Sequence, residues 1–166
     1  MMSPVRPGAL AVMAVFLAAA SPVHAQKAVL IVRHAEKVDE SDDPLLSAAG
    51  KARARNLARH LQSAGVKAIY VTQYKRTSLT AAPLAALAGV KPIVLPADGE
   101  QELLHRIRKD NANDVVLVVG HSDSVPELLR LMGHREPVTI ASAEYDNLFV
   151  VIPDKGGPPG LLRLRY

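Results

Sequence analysis

Three short polar clusters in this chain carry residue types that could act together on an anion. The first is Arg33-His34, inside the run Arg33-His34-Ala35-Glu36-Lys37. The second spans residues 72–80 and contains Lys75, Arg76, Thr77 and Thr80. The third is Gly120-His121-Ser122. Arginine offers a rigid planar fork of donors that matches phosphate or carboxylate. Histidine is the side chain whose charge changes near neutral pH, and imidazole can attack phosphorus to form a covalent phosphoenzyme. Each cluster alone has an ordinary explanation: Arg76 as an exposed residue, His121 as a satisfied histidine at a helix entrance. Together they describe a site for a tetrahedral anion.

The elements that must position them can be read from the apolar pattern. Val29-Leu30-Ile31-Val32 is an unbroken β-branched and aliphatic run, the signature of an interior strand buried on both faces. It ends at Arg33. The stretch 68–71 reads as a second strand before the second cluster, and 115–119 as a continuous apolar strand that ends at Gly120. A third strand is expected at 93–95, and closing strands at 147–152 and 161–164 around a Gly/Pro turn at 156–160.

Helices alternate with these strands. Ser47 is expected to cap a helix reaching about residue 64, with Ala54, Leu57, Ala58 and Leu61 at helical spacing and Gly65 as its stop. Further helices are expected at 77–88, 100–109 and 125–132. The strand–helix–strand order implies a three-layer α/β/α sandwich around a mixed, mostly parallel sheet. In such a sheet the polar clusters fall on the edge where open α/β folds bind ligands. Asp146 and Asn147 read as a capped strand entry.

Composition narrows the function further. The chain has no cysteine, which removes disulfide staples and thiolate metal sites, and no metal-ligand spacing stands out. The net charge of +4 is mild and the basic residues are scattered, so nothing resembles a nucleic-acid surface. A mild positive charge fits an anionic small substrate.

Residues 1–25 have the grammar of a secretory signal peptide: Arg6, an apolar stretch over 9–20, then a helix break and a small-residue site ending at Ala25. A spanning helix needs roughly 20 apolar residues, so this stretch is short for an uncleaved anchor. Cleavage after Ala25 is expected. That leaves residues 26–166 as one domain, exported to the periplasm or medium, without a stable membrane anchor.

The motifs together resemble the histidine phosphatase superfamily, which also contains the cofactor-dependent phosphoglycerate mutases. "RHAEK" is similar to the family's RHG signature, and "LSAAGKARARNLARHL" to its first helix. "IYVTQYKRTSLTAAPLA" resembles the second arginine motif and "VVLVVGHSDSVPELL" the second histidine motif. The resemblance implies a phosphoglycerate mutase-like fold. It implies that His34 is the nucleophile and becomes phosphorylated, and that Arg33, Arg76 and His121 complete the phosphate pocket, with Ser122 beside it. It implies hydrolysis of a phosphomonoester or phosphoramidate, on a small molecule or a phosphoprotein, with no metal or cofactor.

Two departures stand out. Ala35 replaces the usual glycine, adding a methyl beside the pocket. The proton donor to the leaving group has no clear motif. Glu100, Glu102 and Asp98 lie in the region of one family pattern, and Asp123 is displaced by one residue from another. Each also reads as a solvated carboxylate near a helix start. The small phosphohistidine phosphatases of the superfamily likewise lack a clear acid, and a good leaving group reduces the need for one.

Two other readings compete. "GHSDS" is similar to the G-x-S-x-G nucleophile elbow, which would make Ser122 the nucleophile of a serine esterase. The final glycine is missing, and the only downstream histidine is His134. Alternatively, the pocket could serve a non-catalytic module that binds a phosphorylated ligand. Mutase activity fits poorly, since the chain has no room for the segments that shape a mutase site. The loops at 38–46, 96–101 and 133–145 are short and polar, which suggests an open pocket.

Overall fold

The computed structural model describes residues 28–154 and 157–166; the expected signal peptide and its cleavage site lie outside the described residues. Ten elements follow in the order β1 (Ala28–Arg33), α1 (Ala48–Leu61), β2 (Val66–Thr72), α2 (Lys75–Ala88), β3 (Ile93–Leu95), α3 (Glu100–Asp110), β4 (Val115–Gly120), α4 (Ser124–Leu131), β5 (Asn147–Ile152) and β6 (Gly160–Arg165). The strands form one sheet in the order β3-β2-β4-β1-β5-β6. The first four are mutually parallel; β5 alone runs antiparallel to them, and β6, antiparallel to β5, returns to their direction. This is the mixed, mostly parallel sheet that the strand–helix alternation implies.

Alternation along the interior strands builds two cores. Val29 and Ile31 of β1 and Val116 and Val118 of β4 face one side, where they pack with Ile107 of α3 and Val125, Leu128 and Leu129 of α4. Leu30 and Val32 of β1 with Leu117 and Val119 of β4 face the other, against Leu57, Ala58 and Leu61 of α1 and Ala81, Leu84 and Ala85 of α2. Successive strand side chains point to opposite faces, so a run apolar at every position must be covered twice. Helices on both faces supply that cover and complete the α/β/α sandwich.

The helix bounds differ from the pattern-based expectation at the end of α1, which stops at Leu61 rather than about 64, and at the start of α2. α2 begins at Lys75 rather than at 77, and Pro83 lies within it. Ala81, Leu84 and Ala85 are buried on either side of the proline, and packing of that face carries the helix through a residue with no N–H to donate. Ser47 caps α1 as expected, its hydroxyl accepting from the Gly50 N–H at 3.0 Å. Gly89, with φ of 65°, is the left-handed cap that ends α2, whereas α1 is capped at Gln62 and Gly65, expected to stop it, turns the chain into β2 with φ of 69°.

Candidate active site

β2, β4 and β1 are consecutive neighbours in the sheet and parallel. Their C-terminal ends therefore deliver Thr72, Gly120-His121 and Arg33-His34 to one place, as the sequence placed them. Arg33 pairs in register with Gly120, and the His34 N–H donates to the Gly120 carbonyl at 2.9 Å. The His34 and His121 rings meet edge-on with centroids 5.3 Å apart. Both residues are buried, with 4% and 9% of their surface exposed.

His34 is held in one tautomer. Its Nδ1 lies 2.8 Å from the Ala35 carbonyl oxygen. A carbonyl can only accept, so Nδ1 carries the proton and Nε2 keeps its lone pair. Burial lowers the His34 pKa to about 4, partly opposed by the bond to Ala35 and reinforced by His121, Arg33 and Arg76. The imidazole is thus neutral at neutral pH. His121 is lowered to about 4 as well, by burial first and then by Arg76. Its Nε2 sits 3.0 Å from the Thr72 hydroxyl, and its Nδ1 lies 3.5 Å from Arg76 Nη2, at the outer limit of a hydrogen bond.

The two arginines are gripped from outside the pocket. Arg33 Nη1 donates to the carbonyls of Ala141, Ser142 and Glu144 at 3.0, 2.9 and 3.2 Å, and its guanidinium lies 4.1 Å from the Tyr145 ring centre. Arg76 lies 4.2 Å from the Tyr74 ring centre, and its Nη1 donates to the Asp42 carbonyl at 3.2 Å. The Nε atoms of both arginines are buried and make no hydrogen bond within the described protein. A buried N–H without an acceptor is costly, and both guanidinia lie close enough to the two histidines to act on their charge.

Supporting contacts lock this arrangement. The Thr80 hydroxyl, on α2, accepts from the Ala35 N–H at 2.9 Å and donates to the Arg76 carbonyl at 2.7 Å, tying the two arginine-bearing segments together. Thr77 bonds the end of β2 through Thr72. Gly50 admits the Glu36 backbone against α1: a Cβ there would lie 2.2 Å from the Glu36 carbonyl oxygen. The Ala35 methyl, expected beside the pocket, is instead fully buried in a small cluster with Leu46 and Ala54.

The carboxylates proposed as proton donors separate by position. Glu102 pairs with Arg106 one turn along exposed α3, at 2.7 Å. Asp98 is exposed before α3. Asp123 caps α4, accepting from the Ser124 N–H at 2.8 Å. Glu100 is half-buried and borders a largely apolar cleft lined by Leu95, Pro96, Leu103 and Val125 that also reaches Thr72 and Gly120. Of the four, Glu100 alone lies on that cleft, whose walls do not include His34, His121, Arg33 or Arg76.

Ser122 lies half-buried before α4, and His134 follows that helix. The eight residues of α4 put about 12 Å of helix between them, too far for a nucleophile–base pair. Asn147, the first residue of β5, and Asp146 were expected to cap the strand entry; instead they bond across to β6, Asn147 accepting from Arg163 Nε at 2.8 Å and Asp146 pairing with Arg165 at 2.5 Å. Tyr74, Tyr145, Thr72 and Thr80 were not singled out from sequence as site groups with these roles. Their position next to the arginine and histidine motifs is the signal that could have found Tyr74 and Thr72. Among the described residues, no group of His, Cys, Asp and Glu is arranged to hold a metal ion.

Comparison with known proteins agrees with this geometry. Residues 29–103 match the family model described as the histidine phosphatase superfamily (branch 1). No curated protein matches the sequence. The fold is similar to that of the protein histidine phosphatase SixA complexed with tungstate, with a TM-score of 0.67 and 18% identity, over 83% of this chain and 96% of that one. It is also similar to mycobacterial glucosyl-3-phosphoglycerate phosphatase, with a TM-score of 0.65 and 12% identity, over 84% of this chain and 97% of that one. At such identities the likeness establishes the fold alone. The family match spans β1 to the first turn of α3, and the described fold is similar to that of these phosphatases along most of the chain.

Proposed function

We propose that the protein is a phosphatase that hydrolyses a phosphomonoester or phosphoramidate through a phosphohistidine on His34. The observation that carries this reading is the pairing of a neutral, tautomer-fixed imidazole with two guanidinia whose buried Nε–H groups lack acceptors. His34 Nε2 attacks phosphorus while the bond to the leaving group breaks. Arg33, Arg76 and His121 surround the equatorial oxygens, where the charge of the transition state resides. The new phosphoimidazole is cationic, and its Nδ1–H remains bonded to the Ala35 carbonyl, which favours that charge. Of the candidate acids, this reading assigns Glu100, which borders the cleft that reaches Thr72 and Gly120, to protonate the leaving group. Water then cleaves the phosphohistidine, releasing phosphate and restoring the imidazole.

The reaction uses no metal or cofactor in this reading, because two arginines supply the charge a metal would bring. The chain acts after export, with residues 1–25 removed; a secreted form beginning at Met1 or Met2 would reject that part. The activity is tested with p-nitrophenyl phosphate and radiolabelled substrate. Turnover that survives chelator, is lost in His34→Ala, and leaves an acid-labile, alkali-stable label on the quenched enzyme is expected. Full activity of His34→Ala would remove the assigned nucleophile. Phosphate affinity without turnover of any phosphoester or phosphoramidate would make the chain a binding module.

A further inference from the structure

The chain as a whole is basic, with a net charge of +4, yet the rim around the anion pocket has the opposite sign. Asp42 is exposed beside Arg76, whose Nη1 bonds its carbonyl. Asp43 lies at the start of α2, with its carboxylate 2.8 Å from the Lys75 N–H. Asp123 is exposed at the start of α4, two positions after His121, and acts on that imidazole in the sense opposite to Arg76. Glu100 borders the adjoining cleft. Against these carboxylates stands the ammonium of Lys75, itself 3.4 Å from Asp43. The other nearby charges are already matched in pairs: Glu36 with Arg53, Lys37 with Glu40, and Glu144 with Arg163 and Arg165.

We propose that this site selects its substrate by the charge of the leaving group: it takes phosphate esters or amidates of uncharged or cationic groups and rejects leaving groups that bear a second anion. The proposal rests on the phosphatase reading. Arg33 and Arg76 match the phosphoryl group itself and are oriented by Tyr145, Tyr74 and backbone carbonyls, so they are not free to turn toward a second anion. Beyond them, an anionic substituent enters a space bounded by Asp42, Asp43 and Asp123. Each carboxylate at roughly 8 Å in a water-like medium disfavours an anion by about twofold. Acting together, and with the opposite effect on a cation, they separate the two by about tenfold or more. The mild positive charge of the sequence pointed toward anionic substrates in general; the local arrangement confines that preference to the phosphoryl group.

The test compares kcat/KM for phenyl phosphate, 4-(carboxymethyl)phenyl phosphate and 4-(aminomethyl)phenyl phosphate, whose methylene spacers keep the phenol acidities close. At low salt the aminomethyl ester is expected to exceed the carboxymethyl ester about tenfold, with phenyl phosphate between them. Because these are exposed charges, the ratio should shrink toward one in 1 M salt, where the screening length falls to about 3 Å. It should also narrow in Asp42→Lys, which reverses one rim charge and keeps the backbone carbonyl, with the ratio read against that variant's own rate on phenyl phosphate. Equal rates across the series, preference for the carboxymethyl ester, or a preference insensitive to both salt and Asp42→Lys would overturn the proposal while phenyl phosphate is still turned over. No turnover of any of the three would overturn the phosphatase reading and the proposal with it.

Discussion

The Asp43 carboxylate accepts a hydrogen bond from the Lys75 backbone N–H at 2.8 Å, so a loop after β1 caps the helix that carries Arg76. The residue at the helix's own N-cap, Tyr74, makes no side-chain capping bond. Asp43 supplies it from 32 residues away. The same loop holds Arg76 through the Asp42 carbonyl. The segment leaving β1 therefore sets the position of the second arginine.

Asp43→Ala is expected to remove the cap, lowering the Tm by about 2–4 °C. In the proposed mechanism it should raise KM and lower kcat together, because the loosened Arg76 is assigned to the phosphoryl group both before and during transfer. Asp43→Asn keeps an oxygen acceptor and should restore most of the loss. Paired with Arg76→Ala, Asp43→Ala should cause little further kinetic loss, since its kinetic effect passes through the missing guanidinium. Additive kinetic losses in that cycle would show that Asp43 acts on the site by some other route.

The histidines give the protein a defined acid sensitivity. His34 and His121 are lowered from 6.5 to about 4, chiefly by burial. Between those values the unfolded chain binds protons that the folded one excludes, so folding stability rises with pH across the window. The contribution is complete above about pH 6.5 and is lost as pH falls to 4. For the pair it amounts to a few kcal/mol, reduced by the solvent that still reaches them. Chemical denaturation at pH 7, 5.5 and 4 measures it. In kcat/KM, corrected for ionisation of the substrate phosphate near pH 6, the acidic limb should fall near pH 4 rather than 6.5. A limb at 6.5 would mean that His34 is protonated in the free enzyme.

What was legible in the sequence follows from range. β1 and β4 are apolar at every position, which only strands covered on both faces need, and each ends at a polar pair. That pattern is local, so Arg33, His34, Gly120 and His121 could be placed on one edge before any contact was known. The supports were hidden because they join distant segments. The Thr80–Ala35 bond spans 45 residues and the Arg33–Ser142 bond 109. The loop at 133–145, which reads as short, polar and open, in fact closes over Arg33 with carbonyl groups that no side-chain pattern encodes. The Ala35 methyl was misplaced for a related reason. Its neighbours Leu46 and Ala54 come from a loop and a helix whose approach depends on Gly50.

Gly50 is accordingly a sensitive position without being chemical. It lies in α1, where alanine is normally the better helix former. Yet a Cβ there would meet the Glu36 carbonyl oxygen at 2.2 Å, so either the helix or the backbone two residues beyond His34 must move. Gly50→Ala is expected to cost about 1–3 kcal/mol by overpacking. It should lower kcat as well, since the shift acts on the segment that follows His34, the proposed nucleophile. Thermal melting and steady-state kinetics check both; a more stable, fully active variant would show that the approach relaxes without cost.

Arg33 should not tolerate lysine, although the charge is kept. Its Nη1 satisfies three carbonyls of the covering loop, its face lies on Tyr145, and its buried Nε remains for the anion. A lysine ammonium is one compact point of charge and cannot serve the loop and the phosphoryl group from separate edges. Arg33→Lys is expected to lower kcat/KM by about 10²-fold, the scale of losing a transition-state donor. It should also speed hydrogen exchange at residues 141–145. Tyr145→Phe keeps the π face and should stay near the parent in both measurements. Tyr145→Leu, which removes that face, should lose severalfold, in line with roughly 0.5–2 kcal/mol for a cation–π contact. If Arg33→Lys slowed catalysis while leaving exchange in the loop unchanged, the carbonyl contacts would not be what holds the loop, and Arg33 would act on the anion alone.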